Sequence, residues 1–340
     1  MSSNNLDVAR PADPSPLPSG SASVGSASVG NPFQTFRHSP IFFPLIGLVA
    51  VIVIMIFASG SFFSVANLTN VMRQVSINAI VAVGMTFVIL TGGIDLSVGA
   101  VMALAGTIAA GMMVHGFEPV LALVVGLGVG FGFGLFNGLL VAYARMPPII
   151  VTLATMGVAR GLALMYSGGY PISGLPKWMR FFGNGAVWGV QTPIIITLVV
   201  YLVAWVVLER APFGRYVYAI GGNETATRLS GIKVGRAKLI VYAVSGLTAA
   251  IAAIVLTSRL MSGQPNAGIG FELDAIAAVV LGGTAIAGGR GSVIGTLIGA
   301  LLLGVLNNGL NMMGLDPYVQ NVIKGGIILL AIFIGRERRA

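Results

Sequence analysis

The sequence contains no cysteine and only two histidines, His38 and His115, in 340 residues. The first absence excludes a disulfide framework and any thiolate metal site. The second leaves too few ligands for a histidine cluster, and neither histidine has a partner at ligand spacing, so no metal site is expected. Charge is also scarce. Asp, Glu, Lys and Arg together make up 9% of the chain, whereas a soluble domain carries about 25%. A chain so short of charge cannot cover itself with a hydrated surface. Its solvent must accept apolar side chains, and that solvent is lipid.

What the chain does contain agrees with this. Apolar residues fill 56% of positions, glycine fills 48, and the mean hydropathy is +0.94. Apolar helices rich in small residues pack backbone against backbone inside a bilayer. The expected fold class is all-α: a polytopic helical membrane protein. The net charge of +9 does not indicate a nucleic-acid partner in so apolar a chain. The basic residues are read as topology signals and as contacts to anionic membrane lipid or a cytoplasmic partner.

Residues 1–40 are compositionally separate, with Pro11, Pro14, Pro16 and Pro18 followed by a tandem Gly-Ser-Ala-Ser-Val from Gly20 to Val29. Such a segment buries too little apolar surface to offset its folding entropy and is expected to be disordered. The apolar run after it is too long for a cleaved secretory signal. Runs of spanning length follow at about 41–59, 73–91, 95–114, 119–143, 149–167, 192–208, 238–258, 272–287, 292–312 and 318–335. That gives about 10 transmembrane helices in a domain over 41–335. The 272–287 run is short, so it is either tilted, re-entrant or flanked by thinned bilayer. Arginine and lysine concentrate in the connecting loop 209–237 and in the basic tail 336–340. The positive-inside rule places both, and the N-terminus, in the cytoplasm. A weak internal repeat accompanies the spans: a shift of 196 residues carries Gly92, Gly93 and Gly99 onto Gly288, Gly289 and Gly295.

The loop 209–237 is the most informative segment. Asn223 is a good N-cap, Glu224 sits where a helix dipole favours an anion, and Gly231 is a good stop. The result is a helix of about two turns, with Ala226 and Leu229 able to share a face. It is either an ordinary capped connector or a rigid lever that carries force into the membrane. Gly283 to Arg290 faintly suggests a phosphate-binding loop, but Gly289 is followed by Arg290-Gly291-Ser292 rather than Lys-Ser or Lys-Thr. The chain is not expected to hydrolyse ATP, and no catalytic residue is assigned.

Glu224, Ala226, Arg228, Leu229, Ser230, Gly231 and Ile232 resemble the ATPase-docking loop of permease subunits in ATP-binding-cassette importers, which makes these residues, with the cap Asn223, the candidate coupling set. Thr91-Gly92-Gly93-Ile94-Asp95-Leu96-Ser97-Val98-Gly99 resembles a signature of the monosaccharide branch of these permeases. Glu272 to Gly283 and Gly304 to Leu310 match the same branch, and the resemblance runs over about 60–335. Its closest fit is to the ribose type. Thr225 and Thr227 stand where many relatives carry small apolar or acidic residues.

The resemblance implies a permease dimer made with a second copy of the chain, in a bacterial inner membrane. It also implies a cytoplasmic ATPase carrying ATP and Mg, a periplasmic sugar-binding protein, and a monosaccharide substrate. The alternative class is a secondary transporter of a small polar solute driven by an ion gradient, which would show an ionisable relay deep in the bundle.

Several polar residues then become candidates. Asn78, Asp95, Ser97, Asn137, Thr155, Asn307 and Asn308 lie in or beside spans and offer the donors and acceptors that a sugar route needs. The same groups also bond helix to helix. Gly92-Gly93 breaks a helix, and Asp95 or Ser97 can cap the next one. If the break lies inside the bilayer, Asp95 is an intramembrane acid. Arg160 lies about 10 Å short of the end of its span at Ser167. It either snorkels to the surface or pairs with Glu272 or Asp274. Lys324 poses the same question with Asp316.

Overall fold

A computed structural model describes residues 42–336 apart from 59 and 61. The segment expected to be disordered, 1–40, and the end of the basic tail, 337–340, lie outside the described residues. Thirteen helices follow one another through the described chain: α1 (Phe42–Ala58), α2 (Val65–Leu90), α3 (Val98–Val114), α4 (Pro119–Ala142), α5 (Pro148–Ser167), α6 (Arg180–Asn184), α7 (Thr192–Trp205), α8 (Pro212–Gly222), α9 (Glu224–Leu229), α10 (Val234–Leu260), α11 (Phe271–Leu281), α12 (Val293–Met312) and α13 (Pro317–Arg336). A π-helical turn over Val206–Arg210 prolongs α7. The strands β1 (Ile172–Ser173), β2 (Ala186–Val187), β3 (Val190–Gln191) and β4 (Ser262–Gly263) pair antiparallel as β1 with β4 and β2 with β3.

The polytopic helical architecture is as expected. By length and composition α2, α4, α5, α7 with its extension, α10 and α12 can each cross a membrane, and α1 and α3 contain shorter apolar helices. Two apolar runs differ from their expected bounds for a physical reason. The 272–287 run is helical only to Leu281, about 16 Å at 1.5 Å per residue, and then turns through Gly282 and Gly283. The 95–114 run becomes helical only at Val98, because Gly92 sits at φ +77, a conformation that glycine adopts without strain. In the other direction α2 begins at Val65, well before the apolar run. Ser64 caps it by accepting a hydrogen bond from the Asn67 amide at 3.2 Å.

From Ala79 to Leu90 helix α2 is buried on every side, with Thr86 its one polar side chain. It packs against α7, α10, α11 and α12. The tightest seam joins α4 to α10. Gly130, Gly134 and Gly138 recur every four residues along the stripe of α4 that faces α10, so the backbones approach closely, while Gly126, one step earlier, packs against Ala105 and Ala109 of α3. A Cβ on Gly134 would stand 3.0 Å from the Ala243 Cα. The alternate glycines of the same helix, Gly128 and Gly132, face open space.

The repeat has a structural counterpart. Shifted by 196 residues, the bounds of α3 and α4 fall within two residues of those of α12 and α13. The Asn78 amide lies 3.5 Å from an Asp274 carboxylate oxygen across that same offset, and Gly92 packs against Gly288. Helices α2 and α11 therefore run side by side in the same direction, each ending in a glycine-bearing break.

Candidate functional site

The loop 209–237 folds as two short helices. Pro212 at the first turn starts α8 where its missing N–H costs nothing. Asn223 is extended, ends α8 and caps α9, its side chain accepting from the Ala226 amide at 3.0 Å. Gly231 at φ +83 turns the chain into α10. Glu224 holds this element to the bundle. One carboxylate oxygen takes a hydrogen bond from Arg228 at 2.7 Å, and the other takes one from Lys238 on α10 at 2.6 Å. Partial burial alone would raise the Glu224 pKa. The hydrogen bonds and charges of Lys238 and Arg228 outweigh it and hold the carboxyl below its usual range, so Glu224 is ionised at neutral pH. Thr227 points inward, whereas Ala226 is exposed and Leu229 is 84% exposed. Beside α9 lies a cleft of about 310 Å³ bounded by the 141–148 turn, Glu224, Arg228 and Lys238. Arg145, at φ 54, projects into the same cleft lining.

Asp95, Ser97 and Asn137 come together at the α2–α3 break. Asp95 Oδ1 accepts from the Ser97 amide at 3.0 Å and from its hydroxyl at 2.6 Å, while Oδ2 accepts from the Ser245 hydroxyl of α10 at 2.7 Å. The Asn137 amide of α4 donates to Ser97 Oγ at 2.9 Å. All four side chains are 0–1% exposed. One acid thus ties the break to two neighbouring helices through hydroxyl and amide donors. Thr152 on α5 adds a 3.3 Å hydrogen bond to the Ile94 carbonyl.

The remaining polar candidates do not join this group. Asn308 forms a reciprocal amide pair with Asn67 of α2, at 3.0 and 2.8 Å. Its neighbour Asn307 is buried, with an Oδ1 that lacks a protein partner. Thr155 bonds back to the Val151 carbonyl of its own helix at 3.1 Å. Asn78 faces Asp274. The seven residues therefore occupy four separate places in the bundle.

The ion pair expected between Arg160 and Glu272 or Asp274 is not formed. The Arg160 guanidinium instead donates to the Pro265 and Ala267 carbonyls, at 2.6 and 2.8 Å, with the Glu272 carboxylate near enough to act on it by charge but beyond ion-pair distance. Glu272 accepts from the Gly270 amide, and Asp274, one turn into α11, faces Lys324 of α13 at 3.8 Å. Lys324 is thus paired with Asp274 rather than with Asp316, whose carboxylate caps the start of α13 by accepting from the Tyr318 amide.

A family described as "Branched-chain amino acid transport system / permease component" matches residues 67–332, which include both helix breaks and the whole of the α8–α9 element. The chain belongs to this permease family. Among its relatives, the ribose import permease protein RbsC of Bacillus subtilis (strain 168) is 51% identical over 87% of this chain and 93% of its own. The D-allose transport system permease protein AlsC of Escherichia coli (strain K12) is 39% identical over 84% of this chain and 89% of its own. The xylose transport system permease protein XylH of Haemophilus influenzae (strain ATCC 51907 / DSM 11121 / KW20 / Rd) is 36% identical over 86% and 96%. No solved structure matches the chain.

Sequence reasoning about this permease missed Ser245 and Asn67, the partners that complete the buried Asp95 cluster and the part-buried Asn308 pair. Ser245 was findable in principle, as a hydroxyl in the middle of an apolar span. Asn67 precedes the apolar run of α2 and gave no such signal. The Asp274–Lys324 pair carries a prediction. The two side chains are 20% and 17% exposed, so breaking the pair leaves one partly buried charge uncompensated, at a cost of about 1–3 kcal/mol. Asp274→Lys and Lys324→Asp are each expected to lower the yield of folded permease several-fold in a detergent thermal-unfolding assay. The double reversal should recover most of that loss. A double variant no better than the worse single one removes the pair from the account.

Proposed function

We propose that this permease is the membrane-spanning subunit of an ATP-driven importer of a monosaccharide, a ribose-like pentose or hexose delivered by a periplasmic binding protein. The graded similarity to ribose, allose and xylose permeases carries the substrate reading. In this reading a second copy of the chain completes the path, and a separate cytoplasmic ATPase carries ATP and Mg. The protein sits in a bacterial inner membrane.

The placement of charge supports the orientation. Arg145, Arg228, Lys238 and Arg290 belong to the end of the bundle that holds α8, α9 and the two helix breaks. By the positive-inside rule that end faces the cytoplasm, and the same rule applied to Arg37 and the basic tail in the sequence assigns both termini to that compartment.

Asn223, Glu224, Ala226, Arg228, Leu229 and Gly231 form the surface that meets the ATPase. An exposed leucine on a short, charge-pinned helix is a poor fit to solvent and a good fit to a protein groove. Closure of the ATPases displaces α9, and the bundle converts that displacement into alternating access. For Asp95, Ser97 and Asn137, complete burial and mutual hydrogen bonding support a role as the joint that holds the break rather than as sugar contacts. Asn307 fits the sugar route better than Asn308, whose amide is already used at both ends; the unpaired buried carbonyl of Asn307 is a feature shared by Asn78 and by Asn137, whose amide nitrogen is held by Ser97.

The test is uptake by the permease reconstituted with its ATPase and binding protein. Labelled ribose should accumulate on addition of ATP, with unlabelled allose and xylose competing more weakly and leucine not at all. Accumulation of leucine in place of any pentose would transfer the substrate to the class named in the family description.

A further inference from the structure

Three short backbone segments meet where α8 ends. The Gly289 amide donates to the Leu90 carbonyl at 2.9 Å, joining the break after α11 to the break after α2. A Cβ placed on Gly288 would stand 2.8 Å from the Gly92 amide nitrogen, 3.0 Å from the Gly221 Cα and 3.0 Å from the Leu90 carbonyl oxygen. One on Gly289 would stand 2.7 Å from the Gly222 nitrogen, and one on Gly221 would run into the Leu90 carbonyl and the Gly289 amide. No side chain fits between Leu90–Gly92, Gly221–Gly222 and Gly288–Gly289. One turn earlier in α8, the Tyr218 hydroxyl donates to the Gly291 carbonyl at 3.1 Å. Burial, and then the charge of Glu209, push this phenol up to about 12, so it keeps its proton at neutral pH.

We propose that the α8–α9 element acts on both helix breaks at once through this backbone junction, with Gly221 and Tyr218 as the positioning residues that hold it there. The inference rests on the reading of α9 as the ATPase-facing helix. Its physical basis is stiffness. A side chain between two moving segments can change rotamer and absorb a displacement, whereas directly touching backbones cannot. Gly221 and Gly222 are followed at once by Asn223, the cap of α9, so a displacement of α9 reaches the junction through one residue. The breaks it meets are repeat equivalents that already touch at Gly92 and Gly288, so one displacement reaches both. The first break is fixed to α4 and α10 through Asp95, and the second leads directly into α12. The two ends of α2 and α11 are therefore natural places for a packed bundle to switch between discrete arrangements.

The experiment uses the complete importer in proteoliposomes and measures sugar accumulated, ATP hydrolysed and ATPase copurified. Gly221→Ala should lower sugar uptake at least tenfold while the ATPase copurifies and hydrolyses ATP at close to the wild-type rate. Tyr218→Phe removes one hydroxyl and should lower the sugar moved per ATP several-fold. Gly132→Ala, whose added methyl meets nothing within 4 Å, should match wild type.

Unchanged sugar per ATP in both Gly221→Ala and Tyr218→Phe would overturn the junction and leave the α9 reading intact. Unchanged coupling after charge reversal on α9 itself would instead overturn the α9 reading. Should Gly221→Ala fail to assemble, hydrogen exchange on the wild-type complex decides. Amides of 286–292 should exchange at least threefold differently between the nucleotide-free and ATP-trapped states, and equal exchange overturns the proposal.

Discussion

Replacing Glu224 with lysine is expected to cut ATP-driven uptake by tenfold or more while leaving the membrane bundle folded. The two effects separate because of where the residue sits. Its partners Arg228 and Lys238 are 57% and 17% exposed at the side chain, and Glu224 itself is 38% exposed. Pairs so open to water contribute only about 0–1 kcal/mol each to stability. The orientation of α9 depends on them far more. A lysine at 224 would face two cations, with Arg145 lining the same cleft, and α9 would be pushed off α10. Thermal unfolding of the purified permease should shift by only a few degrees. Stimulation of the ATPase by the binding protein should disappear. The double variant Glu224→Lys with Lys238→Glu should recover part of it, because the α9–α10 contact is restored with its polarity reversed. A single reversal that couples normally would show that α9 takes no part in motor contact.

Asp95 gives the second large effect, of the opposite kind. Removal of its carboxylate in Asp95→Ala strands the Ser97 amide and hydroxyl and the Ser245 hydroxyl in a site without water access. Each stranded donor costs about 1–3 kcal/mol, so the total is enough to threaten a marginally stable fold. Asp95→Ala should reduce folded permease by more than tenfold in membranes. Asp95→Asn keeps the shape and an acceptor for Ser97, and Ser245 Oγ can accept from the new amide. That variant should fold and transport at near wild-type rates. The pair of variants separates two roles. If Asp95→Asn folds normally but transports nothing, the ionisable proton of Asp95 matters, and an ion-gradient mechanism gains the support it now lacks.

The sequence made the architecture legible through composition, because 9% charge leaves no alternative to lipid. The α9 helix was equally plain, since Asn223, Glu224 and Gly231 are local signals that act within one or two turns. The break at Gly92-Gly93 was visible as well, whereas Gly288-Gly289 was marked only as its match in the weak repeat. What could not be read was which groups would meet. Arg160 and Asp274 look like an obvious pair along the chain, yet pairing depends on the direction in which each side chain leaves its helix. Arg160 meets carbonyls, and Asp274 meets a lysine that lies nearer to it along the chain, on α13. The short α11 shows the same limit. Hydropathy extends through Ala287, but Gly282 and Gly283 end the helix at Leu281. The meeting of three glycine pairs at one point left no trace in any single segment, because a backbone contact has no side-chain signature.

One measurement bears most directly on the central claim that the bundle is worked from its cytoplasmic end by ATP hydrolysis on another protein. The reconstituted importer is supplied with sugar-loaded binding protein and ATP, a proton gradient is held constant, and hydrolysis is then blocked with vanadate. Sugar accumulation is predicted to stop at once and to resume when the block is removed. Accumulation that continues on the proton gradient alone would contradict the account.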